Sequence, residues 1–151
     1  MKKQRDFYQI SLKLLLKNDK GEVLALKAVD AGSYAGFYDF PGGRIDTDEF
    51  EMPFSKIIKR EAVEEIGDSV IFELKSKPVA IGRHFIPAKF NSTKEDLKVM
   101  YIFFEAEYKS GEIEISPEHV GYKWFNLEKE DPAKLFKSGI LEAINMYLQQ
   151  Q

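Results

Sequence analysis

Apolar and more polar residues alternate near the start of the chain, where Tyr8, Ile10, Leu12, Leu14 and Leu16 recur at every second position. That period is the signature of a half-buried strand. Asn18-Asp19-Lys20-Gly21 supplies residue types that accept positive φ, so Glu22 to Ala28 reads as the partner strand of a hairpin. Asp30 to Gly36 reads as a loop. Phe37 to Phe40 is a short strand that delivers the chain into Pro41-Gly42-Gly43. The period then changes. From Phe54 to Ile66, at about 100° per residue, Ile58, Ala62, Val63 and Ile66 form the apolar stripe of a helix. Pro53 precedes it where no backbone N–H is needed, and Gly67 marks its stop.

In the second half, Val70 to Leu74 and Val79 to Phe85 read as two strands, and the polar, Pro- and Asn-containing stretch Ile86 to Leu97 as an exposed loop. Val99 to Tyr108 is the strongest strand pattern, apolar enough at its start to be buried on both faces. Ser110-Gly111 turns the chain into a short strand, Glu112 to Ile115. The loop Ser116-Pro117-Glu118-His119 leads to a last strand, Gly121 to Phe125. Leu135, Phe136, Ile140, Ile144 and Leu148 recur at helical spacing, which predicts a helix from Pro132 to Leu148 with Gly139 as a weak point inside it. Hairpins plus two helices imply an α/β (α+β) protein whose mixed sheet is covered by helices. The chain shows no repeat and no linker, so residues 1–151 read as a single domain.

Composition narrows the class. Hydrophobic residues at 44% and charged residues at 31% describe an ordinary globular chain. A net charge of −3 argues against a nucleic-acid partner of the usual kind. Without cysteine there are no disulfides, thiolate metal sites or cysteine nucleophile. No stretch approaches the roughly 20 apolar residues of a membrane span. A cytoplasmic protein with no membrane partner is expected, with a homodimer left open as its oligomeric state.

The candidate chemistry lies on the first helix. Glu61, Glu64 and Glu65 fall within roughly 100° of one another. Like charges at such spacing repel by about 0.2–0.5 kcal/mol per pair, and acids near a helix C-terminus also oppose its dipole. Arg60 balances one of them, not three. Negative charge concentrated where a helix least tolerates it points to an external cation, and all-oxygen ligands suit Mg²⁺ or Mn²⁺. The rival readings are a solvated acidic face, a calcium loop and a P-loop. Asp46-x-Asp48 does not begin a calcium loop, because Phe50 and Glu51 stand where a ligand and a glycine are required. No Gly-Lys-Ser/Thr follows a glycine pair, which removes the P-loop.

Gly43-x5-Glu49 followed by Arg60-Glu61-Ala62-x-Glu64-Glu65-x-Gly67 resembles the Nudix box, the signature of the Nudix hydrolase family. Two departures show: the loop from Phe50 to Lys59 is three residues longer than usual, and Asp68 replaces an aliphatic residue. The extra length leaves Glu49 and Glu51 as alternatives for the first box glutamate. The resemblance implies an α/β/α sandwich and divalent-metal-dependent hydrolysis of a nucleoside diphosphate linked to another moiety: a nucleoside triphosphate, nucleotide sugar or dinucleotide. It further implies that Glu61, Glu64, Glu65 and the Gly43 backbone hold Mg²⁺ or Mn²⁺, that Gly42 and Gly43 close the site on substrate, and that Arg60 pairs with the earlier glutamate. A nucleotide-binding sensor without turnover is the alternative from another class.

Outside the box, Glu118 is the expected accessory ligand or general base, with Glu105 second. Tyr34 and Phe37 are candidates for stacking a nucleobase, and Arg83 with His84 for meeting phosphate. Tyr101, Phe103, Phe104 and Trp124 read as core.

Overall fold

The computed structural model describes residues 2–151. Seven strands form one mixed sheet in the order β3-β2-β1-β6-β5, with β4 also paired to β1 and β7 to β2. In sequence these are β1 (Gln9–Lys17), β2 (Val23–Ala28), β3 (Tyr38–Asp39), β4 (Gly42–Arg44), β5 (Ile71–Ile86), β6 (Leu97–Ser110) and β7 (His119–Phe125). Three helices accompany them: α1 (Phe54–Ile66), α2 (Pro132–Leu135) and α3 (Ser138–Leu148). Among the described residues only β1 and β6 pair in parallel.

Two hydrophobic cores lie on the two faces of this sheet. On one, Leu12, Leu14 and Leu16 of β1 and Leu24 and Leu26 of β2 meet Ile57, Ile58, Ala62 and Ile66 of α1. On the other, Leu15, Val99, Tyr101 and Phe103 meet Phe136, Ile140, Ala143, Ile144 and Tyr147. Strand alternation sends neighbouring residues to opposite cores, which is how one sheet serves both layers of an α/β/α sandwich. β1 is therefore not half-buried: from Ser11 to Leu16 every residue is buried. On α1 the stripe is shifted, with Ile57 fully buried and Val63 exposed.

The sheet forks at β1. The hairpin partner β2 pairs with β1 only at Lys17–Val23. Further forward, Ser11, Leu12 and Lys13 pair instead with Arg44, Gly43 and Gly42 of β4. The opening between the two branches places the Gly42-Gly43 turn beside Asp39 of β3.

Other expectations change. The two strands expected after α1 are one 16-residue strand, β5, whose register against β6 shifts between Leu74 and Ala80. Glu112 to Ile115 forms no strand: within it Glu114 N–H donates to the Ile66 carbonyl of α1, and the next residue, Ser116, donates its N–H to that of Glu65. These are carbonyls the helix end leaves without a partner of its own. The C-terminal helix is two helices, broken at Phe136-Lys137, with Ser138 at φ 54°. Gly139 is not a weak point. It lets α3 approach β5 so closely that a β-carbon there would collide with the Arg83 backbone, and one on Gly82 with the Gly139 carbonyl.

Candidate active site

A cavity of about 830 Å³ opens at the fork. Its walls come from β1 (Ser11, Lys13), β3 (Asp39), β4 (Gly42 to Arg44), α1 (Arg60, Glu61, Glu64, Glu65), the ends of β5 and β6, and the Ser116-Pro117-Glu118 loop.

The acidic wall is built from the glycine turn and α1. Gly42, at φ 148°, lies so near β1 that a β-carbon would overlap the Leu12 carbonyl oxygen. Its N–H donates to Glu65 Oε2 at 3.1 Å. At Gly43 the space of the missing side chain is filled by the Glu61 carboxyl group. Thus each glycine seats one glutamate. Both glutamates are buried, while Glu64 is exposed at the rim.

Arg60 ties this wall to the preceding loop. Its Nε and Nη2 donate to the two oxygens of Glu49 at 2.8 and 2.7 Å, a bidentate pair. Its Nη1 donates to Glu61 at 2.8 Å and Glu64 at 3.3 Å. Glu49 also accepts the Asp46 N–H at 2.9 Å. That amide, together with Arg60, holds the Glu49 carboxyl below the usual range. Glu49 is buried and Glu51 exposed, so the partner of Arg60 is Glu49 despite the longer loop.

The acids differ in their proton affinity. Burial pushes Glu65 up to about 8, with Asp39 adding to the effect and Lys13 opposing it. Burial also raises Glu61, against the pull of Arg60. Facing them, Lys13 is buried and donates to Asp39 Oδ2 at 3.1 Å and to the Phe40 carbonyl at 3.4 Å. Burial disfavours its charge, but Asp39, Glu65 and Tyr101 outweigh that and keep it protonated.

The opposite end of the cavity is polar and crowded. His84 is buried, with Nδ1 2.7 Å from Ser138 Oγ and Nε2 3.0 Å from Ser33 Oγ. Burial and the Lys137 charge push it down to about 4, so it stays neutral. Tyr101 donates its hydroxyl proton to the Tyr34 oxygen at 3.1 Å.

Of the residues expected at the site, Glu61, Glu64, Glu65, Arg60, Gly42, Gly43, Tyr34, His84 and Glu118 line this cavity. Glu49 stands behind Arg60. Arg83 does not reach the cavity: alternation turns it to the other side of β5, into a depression with Tyr8, Phe85 and Lys98. Phe37 is also off the wall, with the Lys137 ammonium 5.5 Å from its ring centroid. The Tyr34 ring is packed by His84, 4.4 Å between centroids, and by Lys137 at 5.8 Å, so it offers a base little free surface. Glu105 lies elsewhere, bonded to Lys17, Lys75 and Tyr147. Lys13, Asp39, Arg44 and Tyr101 are wall residues that the sequence reading did not assign. A lysine in the middle of an apolar strand was the one available signal for Lys13.

Carboxylates and a glycine-turn backbone are the donor set of a hard divalent cation. The fit is good in two respects: the Gly43 cradle admits the Glu61 carboxyl group to the wall, and the buried acids lack cationic partners sufficient for their charge. Among the described residues no three acidic or histidine side chains converge on one point as they stand. Arg60 draws both Glu61 and Glu64 to itself.

Fold and site together define an α/β/α sandwich with buried acids seated on a glycine turn at one cavity. Residues 8–144 match the NUDIX domain. The chain belongs to the Nudix hydrolase family. It is 24% identical over 124 residues to the nucleoside triphosphatase NudI of Escherichia coli and of Shigella flexneri, covering 76% of this chain and 79% of the relative. Among solved structures it resembles the MutT protein from Methanosarcina mazei Go1, with TM-score 0.69, 25% identity and 98% of each chain covered. It also resembles the Escherichia coli dihydroneopterin triphosphate pyrophosphohydrolase, with TM-score 0.66, 16% identity, and 97% of this chain and 100% of that one covered. No helix is long and apolar enough to cross a membrane among the described residues.

Proposed function

We propose that the chain hydrolyses the pyrophosphate bond of a nucleoside triphosphate, with Mg²⁺ or Mn²⁺ held by Glu61, Glu64, Glu65 and the Gly43 carbonyl. The observation that carries this reading is the seating of Glu61 and Glu65 against the Gly43 and Gly42 turn at the mouth of one cavity. The triphosphate is favoured over a nucleotide sugar or dinucleotide by the likeness to the nucleoside triphosphatase NudI.

Water attacks one phosphorus of the α,β bridge, its bond to the bridging oxygen breaks to give nucleoside monophosphate and pyrophosphate, and the proton of the water passes to a carboxylate. A cation held by these acids would neutralise charge on the phosphate oxygens and lower the pKa of water. The chain's own residues set the geometry. Arg60, clamped on Glu49, fixes the acid-bearing face of α1 to the loop that follows the glycine turn. Glu118, exposed on the cavity-lining loop that Ser116 ties to the end of α1, is the candidate proton acceptor. The Lys13–Asp39 pair meets the rest of the substrate with hydrogen bonds rather than a stacking surface, since the Tyr34 ring is already packed.

The test is a panel of nucleoside triphosphates, nucleotide sugars and dinucleotides, assayed with Mg²⁺ or Mn²⁺ for nucleoside monophosphate release. Turnover of triphosphates that stops with excess chelator supports the reading. Binding without turnover, or turnover indifferent to chelator, overturns it.

A further inference from the structure

The cavity wall carries three cations, Lys13, Arg44 and Arg60. Two are committed. Lys13 is held by Asp39, and Arg60 by Glu49, Glu61 and Glu64. Arg44 has no carboxylate within salt-bridge distance among the described residues, although Asp46 and Glu61 line the same cavity. Its Nη1 instead donates to Gln9 Oε1 at 2.7 Å. β1 and β4 pair at Ser11–Arg44, so Gln9 reaches Arg44 from the adjoining strand. A neutral amide thus holds an exposed guanidinium at the cavity mouth, one residue from the Gly43 cradle, with most of its five donors free.

We infer that Arg44 is a specificity-determining residue that binds the phosphate lying outside the cleaved bridge, and so selects substrates with three linked phosphates. This inference rests on the proposed pyrophosphate hydrolysis. In the proposed reaction the carboxylate wall would meet the two phosphates of the scissile bridge by way of the cation it holds. A third phosphate brings further negative charge that this wall cannot meet. Guanidinium is suited to it, because its planar fork matches phosphate oxygens two at a time and stays charged at any working pH. A sugar or second nucleoside at the same place would leave Arg44 without an anionic partner.

The probes are inorganic tripolyphosphate and pyrophosphate, titrated calorimetrically into the Mg²⁺-supplemented protein, so that base recognition plays no part. The wild-type chain is expected to bind tripolyphosphate at least about tenfold more tightly than pyrophosphate. Arg44→Gln should abolish that preference and Arg44→Lys restore part of it, with the melting temperature unchanged in both. On the best nucleoside triphosphate, Arg44→Gln should raise KM by about 10- to 100-fold and alter kcat far less. Absence of the tripolyphosphate preference in the wild type, or its survival in Arg44→Gln, overturns the inference. Failure of the hydrolysis reading looks different: no member of the nucleotide panel is cleaved, whatever the inorganic probes do.

Discussion

Two buried carboxylates in this chain have opposite surroundings. Glu105, on β6, accepts hydrogen bonds from Tyr147, Lys75 and Lys17. Burial alone would raise its pKa, but the bonds from Lys75 and Tyr147 outweigh it and hold the carboxyl below its usual value. Glu65, on α1, accepts one backbone N–H from Gly42, with Asp39 and Glu61 nearby and Lys13 the main opposing charge. One acid has its charge satisfied by the protein. The other is kept short of cations at the wall of a cavity. Burial is common to both, so burial alone does not mark a site; the missing counter-charge does.

The sharpest way to break this comparison is to neutralise each acid in turn. Glu65→Gln should reduce kcat by at least about a hundredfold while leaving stability at pH 7.5 equal or higher, because it removes a carboxylate whose charge the fold disfavours. Glu105→Gln should do the reverse. Lys17 and Lys75 are 33% and 54% exposed, so water replaces much of what they lose, and the cost should be about 1–2 kcal/mol with specific activity intact. Chemical denaturation alongside steady-state rates reads both. A Glu105→Gln variant that folds but is inactive would erase the distinction.

Gly42 and Gly43 extend the contrast to adjacent residues. At Gly42 a β-carbon meets fixed backbone, the Leu12 carbonyl, at a φ of 148°. Gly42→Ala should cost several kcal/mol of stability, as strained core substitutions do. At Gly43 it meets only the end of a flexible side chain, the Glu61 carboxyl group. Gly43→Ala should keep most of the stability and instead displace Glu61, weakening Mg²⁺ binding by about tenfold or more, by analogy with the loss of an orienting partner at a metal site. Calorimetric Mg²⁺ titration of a folded Gly43→Ala protein decides it; unchanged affinity would remove Glu61 from the proposed ligand set.

Legibility in the sequence followed the same divide between local and long-range causes. Arg60, Glu61, Glu64 and Glu65 lie on one helix, so their clustering could be read from 3.6-residue geometry. Most strands and α1 were also readable along the chain, because period two and period 3.6 are local, whereas the α/β/α layering was implied by the resemblance. Lys13, Asp39 and Arg44 were not, because their meeting depends on the fork at β1, where β4 displaces β2 as its partner. Arg83 and His84 were read together as meeting phosphate, but neighbours on a strand point to opposite sides, and of the two His84 lines the cavity. Glu112 to Ile115 has the pattern of an edge strand, yet the amides of Glu114 and of the following Ser116 were claimed by the end of α1, a partner nearly fifty residues earlier in the chain. Gly139 looked like a flaw in a helix because the strand that needs its missing side chain, β5, is distant in sequence.

The same two acids also differ in how stability depends on pH. Glu65 has a folded pKa near 8, above the ordinary value of 4.5 that it regains on unfolding. Between those limits the folded chain binds more protons than the unfolded chain, so stability falls as pH rises. The stabilisation from this group is complete below about pH 4.5 and lost through about pH 8. Glu105 has the opposite sign: its lowered pKa contributes stability that is present above 4.5 and lost only as pH falls through its folded value. Metal-free protein should therefore lose on the order of 1–3 kcal/mol between pH 5.5 and 8, after other titrating groups are subtracted by comparison with Glu65→Gln. Saturating Mg²⁺ should flatten the difference, since a cation favours the deprotonated acid that the fold alone disfavours. Denaturation curves for both proteins, with chelator and with Mg²⁺, give the four profiles required. If wild type and Glu65→Gln show the same slope in chelator, Glu65 is already satisfied within the fold, and its difference from Glu105 disappears.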